Sequence, residues 1–201
     1  MVDWKRVGSI SGILGGILFV IFTFIDMLIY PGGYSFLENY FSQLGLMEIN
    51  GQPAFPNYVL FVLACSSAAV CSIPFWIAIK TEFSDNRMVS IIGWIGTSLG
   101  FIAAPFLSAL ALFAGDVFPA QHGWSTILFF IFYSLAIVVY SIGMLFNPDY
   151  NSLLSLVGFI VAAICLFHIF VLGTVLMQKI AVYSLVLWSG FQGYYLVKYT
   201  K

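Results

Sequence analysis

Six stretches of mostly apolar residues, none with an acidic or basic residue at its middle, fill most of this 201-residue chain. A helix needs about 20 apolar residues to cross a bilayer core of about 30 Å. The runs place spans at 7–30, 58–79, 89–114, 124–146, 153–177 and 180–197. Only Gln178 and Lys179 separate the last two, and neither breaks a helix, so Gly173 is the alternative start of that turn. With 62% apolar and 7% charged residues, the chain is far from soluble domains, which carry roughly 25% charged residues. The expectation is one all-α integral membrane domain over 1–201: a polytopic six-helix transmembrane bundle.

Lys and Arg in short loops stay on the cytoplasmic side. Six spans put Lys5, Arg6, Lys80, Arg87, Lys198 and Lys201 on one face and Lys179 alone on the other. Both termini are therefore expected in the cytoplasm. Trp4, Trp76 and Trp124 suit the aromatic belts at the two interfaces. Gly8, Gly12 and Gly16 in span one, and Gly96, Gly100 and Ala104 in span three, recur at intervals of four, a spacing that lets helix backbones approach closely in lipid. Those two spans are expected at the centre of the bundle, and Pro74 and Pro105 are expected to kink spans two and three. Cys65, Cys71 and Cys165 fall inside apolar runs and read as small buried hydrophobes, not as a disulfide framework.

Between spans one and two lies YSFLENYFSQLG, residues 34–45. Phe36, Leu37, Tyr40, Phe41 and Leu44 recur on one helical face, with Glu38, Asn39, Ser42 and Gln43 on the other. Ser35 and Glu38 form a capping-box pattern, and Gly45 is placed to end the helix in the left-handed region. The expectation is a short interfacial amphipathic helix, serving either as a lid or only to finish the loop.

The charge pattern also excludes functions. There is no basic cluster for nucleic acid, no intramembrane Lys for a retinal Schiff base, no midplane carboxylate for a proton relay and no P-loop. With only His122 and His168, a three-histidine zinc site within one chain is impossible, and neither a metal nor a cofactor is expected. The remaining polar side chains gather on the face opposite the basic residues. Asp26 lies one turn inside the end of span one, at the azimuth of Gly8. Asp116 and His122 bracket the third loop, and Ser125 follows His122 on the same face of span four. Glu38, Ser42 and Gln43 come from the first loop, and His168 lies lower in span five, at the depth of Tyr133. Together they outline an outward-facing polar vestibule under the lid.

The segment F-S-Q-L-G at 41–45 and the segment D-V-F-P-A-Q-H-G at 116–123 resemble the bacterial and archaeal membrane proteins catalogued as domain of unknown function nine-nine-eight. The resemblance covers most of the chain. It implies about six spans and a prokaryotic plasma membrane, and it draws attention to Ser42 and His122. Phe41 stands where that family usually has an aliphatic residue, and Pro119 and His122 are closer together than its pattern implies.

Three functions fit these residues. The first is binding or carriage of a lipid or small amphiphile, its head among Asp26, Glu38, Ser42, Gln43, Asp116, His122, Ser125 and His168 and its tail in the bundle. The second is a membrane-embedded hydrolase of outer-leaflet lipid, with His122 as general base, Asp116 or Asp26 orienting it, and Ser42 or Ser125 as nucleophile. The third is an accessory or structural subunit that binds another membrane protein or a second copy of itself.

Overall fold

The computed structural model describes residues 3–84, 87–147 and 150–199. Six long helices carry the fold: α1 (Trp4–Leu28), α2 (Phe55–Lys80), α3 (Arg87–Leu112), α4 (Pro119–Phe146), α5 (Ser152–Phe170) and α6 (Val175–Tyr199). All six are long and apolar enough to cross a membrane. Local chemistry sets where several of them start. The Asp3 side chain accepts the Arg6 N–H at 3.0 Å at the head of α1, and the Asn151 side chain accepts the Leu153 N–H at 2.9 Å at the head of α5. Pro119 occupies the first position of α4, where a missing N–H costs nothing. The break between α5 and α6 falls at 171–174, around Gly173, so Gln178 and Lys179 belong to the first turns of α6 and not to the turn.

Each helix packs against its neighbours in chain order, and α6 returns to α1, so the bundle is a closed ring of antiparallel helices. The glycines of α1 and α3 do allow close packing, but these helices are separated by α2 and neither is central. A Cβ at Gly12 would meet the Phe75 ring of α2, and one at Gly100 would meet the Trp76 ring at 2.5 Å. A Cβ at Gly96 would meet the Tyr140 ring of α4 at 2.7 Å. Of the six helices α4 is the most buried and α1 the least. Small residues therefore mark where large aromatic side chains of neighbours enter, which periodicity alone does not distinguish from a central position.

Those aromatic side chains build the core in the half of the ring nearer the basic residues. Trp76 stacks on Tyr140 with ring centroids 5.7 Å apart and planes 8° apart, and meets Trp188 at 6.0 Å. Trp76 is fully buried, so it does not serve the interfacial belt expected of it, whereas Trp4 and Trp124 are exposed. The phenol tips are paired inside the core, the Tyr140 hydroxyl with Thr97 Oγ1 at 2.6 Å and the Tyr133 hydroxyl with Ser189 Oγ at 2.7 Å, whereas Trp76 Nε1 and Trp188 Nε1 are buried without a hydrogen-bond partner among the described residues. At the basic end Lys5 Nζ lies 2.5 Å from Glu82 Oε1, tying the start of α1 to the residues following α2. Lys201 lies outside the described residues.

The segment at 34–45 is not an amphipathic α-helix. A turn in which the Ser35 carbonyl accepts from Glu38 and Asn39 N–H leads to a single short 3-10 helix, η1 (Phe41–Gly45). The expected Ser35–Glu38 capping box does not form. Instead Asn39 Oδ1 accepts the Ser35 N–H at 2.8 Å, and Gln43 Oε1 accepts the Tyr40 N–H at 2.8 Å. These side-chain acceptors take up donors that a continuous helix would have used. Phe41, Leu44 and Gly45 are buried, so η1 is set into the bundle and does not lie along an interface. Gly45 is not in the left-handed region; its lack of a side chain lets Phe61 pack against it. A two-residue hairpin follows, Glu48–Ile49 paired with Gln52–Pro53, turning through Asn50 and Gly51 at φ 54° and 75°. Asn-Gly with both residues at positive φ is the preferred tight hairpin turn.

Candidate functional site

A cavity of about 100 Å³ runs from beneath η1 toward the basic end of the ring. Phe41 and Ser42 of η1 line it at one end, with His122 and Thr126 from the first turns of α4 and Gln178 from α6. Phe19, Phe61, Leu110, Phe129, Phe130, Val182 and Leu185 form apolar walls. Tyr133, Phe75 and Ser189 stand deeper, and Ser11 and Ser72 lie toward the basic end. His122 and Tyr133 are eleven positions apart on one helix, roughly 16 Å at 1.5 Å per residue, about half the hydrocarbon thickness of a bilayer. The cavity is thus long, narrow and largely apolar, with Ser42, His122, Thr126 and Gln178 at its η1 end and Tyr133, Ser189, Ser11 and Ser72 further down.

Of the residues singled out from sequence, Ser42 and His122 line this cavity and the others do not. His122 Nδ1 lies 2.7 Å from the Leu110 carbonyl and 3.1 Å from the Phe113 carbonyl. Carbonyl oxygens only accept, so Nδ1 carries the proton, and in the neutral ring Nε2 is an acceptor. The orienting carboxylate expected for a general base is absent from His122. Asp116 is instead exposed, and its Oδ2 accepts the Met47 and Glu48 N–H groups at 3.0 and 2.9 Å, clasping the hairpin. Asp26 is fully buried and accepts from Asn57 Nδ2 at 2.6 Å, with Oδ2 left without a partner. These two carboxylates and His122 therefore do not share the single vestibule expected of them.

The remaining candidates have structural partners or lie apart. Glu38 is exposed in the turn before η1, and Gln43 caps η1. Ser125 is buried in α4 but is not part of the cavity wall. His168 is buried with Nδ1 unpartnered and packs edge-on against Phe130, at 5.4 Å between ring centroids. Tyr133, its expected partner, bonds Ser189 instead.

Two residues that the sequence reading assigned to a turn prove to hold the roof. Gln178 Oε1 accepts the Phe41 N–H at 2.8 Å, which leaves its amide NH₂ free to donate. Lys179 is buried, donates to the Asn39 carbonyl, and lies 5.0 to 5.4 Å from the ring centroids of Tyr34, Phe36 and Phe41. The Tyr34 hydroxyl also donates to the Asn39 carbonyl, at 3.0 Å, and burial pushes that phenol up from its ordinary range. Tyr40 donates to the Gly173 carbonyl at 2.8 Å, and Asn50 Nδ2 to the Pro31 carbonyl at 2.8 Å. The first loop is therefore strapped to α6, to the loop before α4 and to the α5–α6 turn. Placing Gln178 and Lys179 within α6, by starting the helix just after Gly173, was the signal available for them.

The geometry is that of an integral membrane protein whose six apolar helices enclose a plugged internal cavity. Residues 13–191 match the family described as "Protein of unknown function (DUF998)", and the chain belongs to that family. No curated protein and no solved structure matches it. The two segments that carried the resemblance, 41–45 and 116–123, converge at the same end of the cavity through Ser42 and His122.

Proposed function

We propose that this protein binds or carries an amphiphile with a single short apolar chain and a compact hydrogen-bonding head. The observation that carries the reading is a largely apolar cavity with Ser42, His122, Thr126 and Gln178 grouped at its η1 end. Binding sites for such ligands combine apolar walls with a few convergent polar groups. The head would donate to His122 Nε2 and accept from the Gln178 amide, and the tail would run between Phe129 and Leu185 toward Ser189. Hydrolysis is the weaker reading because, among the described residues, the His122 ring is hydrogen-bonded to two backbone carbonyls and to no hydroxyl that could serve as nucleophile.

The test is native mass spectrometry of protein extracted in mild detergent. Wild type is expected to retain an amphiphile of defined mass, Val182→Trp to lose it by filling the cavity, and His122→Ala to retain less of it in the same covalent form. Equal retention by wild type and Val182→Trp would reject the cavity as the site. Recovery of cleaved product from wild type alone would replace binding with catalysis.

A further inference from the structure

We infer that the seam between α1 and α6 at Gly16 and Val186 is a lateral portal through which an alkyl chain passes from the bilayer into the cavity. The inference rests on the amphiphile-binding reading and adds the route.

Gly16 and Val186 line the internal cavity and also line a separate apolar groove on the outer surface of the ring. The groove continues over Ile17, Ile21, Gly190 and Phe191, and of these Ile17, Ile21 and Phe191 are exposed. It lies along the membrane-spanning lengths of α1 and α6, so the material facing it is lipid chain. Between the two spaces stand only a glycine without a side chain and one valine. A Cβ at Gly16 would come within 3.0 Å of Val186 Cγ1, while a Cβ at Gly190 would meet nothing within 4 Å.

Chain topology singles out the same seam. Of the six neighbouring helix pairs in the ring, five are joined directly by a chain connection, and α1 with α6 is the pair that is not. Separating these two helices strains no linker. Nearer the basic end they are held together where Gly193 lets α6 approach the Ser9 carbonyl and Ile13 of α1, which provides a point about which the seam can part. The η1 end is closed by the strapped first loop, so lateral access needs less rearrangement than access through the roof.

The experiment places Gly16→Cys and Val186→Cys in a chain whose Cys65, Cys71 and Cys165 are changed to Ala. The protein is reconstituted in phosphatidylcholine vesicles, and the cysteines are bridged with copper phenanthroline. Loading is followed with a short-chain fatty acid carrying a diazirine on its alkyl chain, photolysed at intervals. Bridging is expected to slow loading by about an order of magnitude relative to the same protein reduced, as expected for a locked gate, with the rate restored by reductant. Val186→Phe, which needs no bridge, is expected to slow loading in the same way. Equal rates in bridged and reduced protein, with normal final loading, would overturn the portal and leave the binding site standing. Slowing that reductant does not reverse would also overturn the portal. Absence of loading in the reduced protein and in wild type would overturn the binding reading and the portal together.

Discussion

Lys179 is a buried ammonium group that no carboxylate pairs with among the described residues; its partners are the Asn39 carbonyl and three aromatic faces. Contacts of this kind are worth about 1–2 kcal/mol when desolvated. Burying a charge costs several kcal/mol, so replacement by an apolar chain of similar length is close to neutral overall. Lys179→Met is thus expected to leave the thermal midpoint little changed while loosening the first loop. The readout is maleimide labelling of Ser42→Cys, which should quicken; unchanged labelling would show that Lys179 does not hold the loop. Asp116 makes the complementary case. Removing its carboxylate strips an acceptor from two backbone N–H groups, and Asp116→Ala is expected to cost the loop about 1–2 kcal/mol. Faster amide exchange confined to Met47, Glu48 and the hairpin would bear this out.

At the scale of the element, the six spans and the first loop behaved differently as sequence. The spans were legible because every turn of a lipid-embedded helix must be apolar, a requirement that does not depend on neighbours. The 34–45 segment had helical periodicity and a capping pattern, yet it forms a turn and a 3-10 helix because Asn39 and Gln43 capture nearby N–H groups and Gln178 captures that of Phe41. Local propensity lost there to tertiary contacts. Small-residue spacing was read correctly as close packing but wrongly taken to put α1 and α3 at the centre, since a glycine says that something approaches and not what. Gly100→Leu should drive side-chain atoms into the Trp76 ring, and such overpacking costs typically about 1–3 kcal/mol. A lowered melting temperature for Gly100→Leu, beside an unchanged or raised one for Gly123→Ala, where a Cβ meets nothing, is the expected pair of results.

The whole molecule is a closed ring with Lys5, Arg6, Lys80, Arg87 and Lys198 at one end and the strapped loop, with Lys179, at the other. Charge asymmetry predicts that the basic end faces the cytoplasm. A membrane-impermeant maleimide applied to intact cells should label Leu37→Cys, which is exposed beside η1, and spare Ser84→Cys at the basic end. The reverse pattern would invert the protein and point the cavity roof to the cytoplasm. The candidate site was only partly legible at this scale. Ser42 and His122 reach the cavity, whereas Asp26 and Asp116 satisfy Asn57 and the hairpin amides. A charged residue near a span end advertises a need for partners, and sequence does not reveal whether those partners are ligand or protein.

What the sequence determined by itself was the solvent of this protein and the number of its crossings, because the energetic penalty of a polar group in hydrocarbon is paid residue by residue. Tertiary structure alone decided which helices adjoin, that α6 closes on α1, and that the first loop folds inward as a plug. Those outcomes depend on shape matching among side chains far apart in the chain, such as Gly100 with Trp76 or Phe41 with Gln178. In lipid, where apolar surface is equally content against a neighbour or a bilayer, that matching is what selects one arrangement.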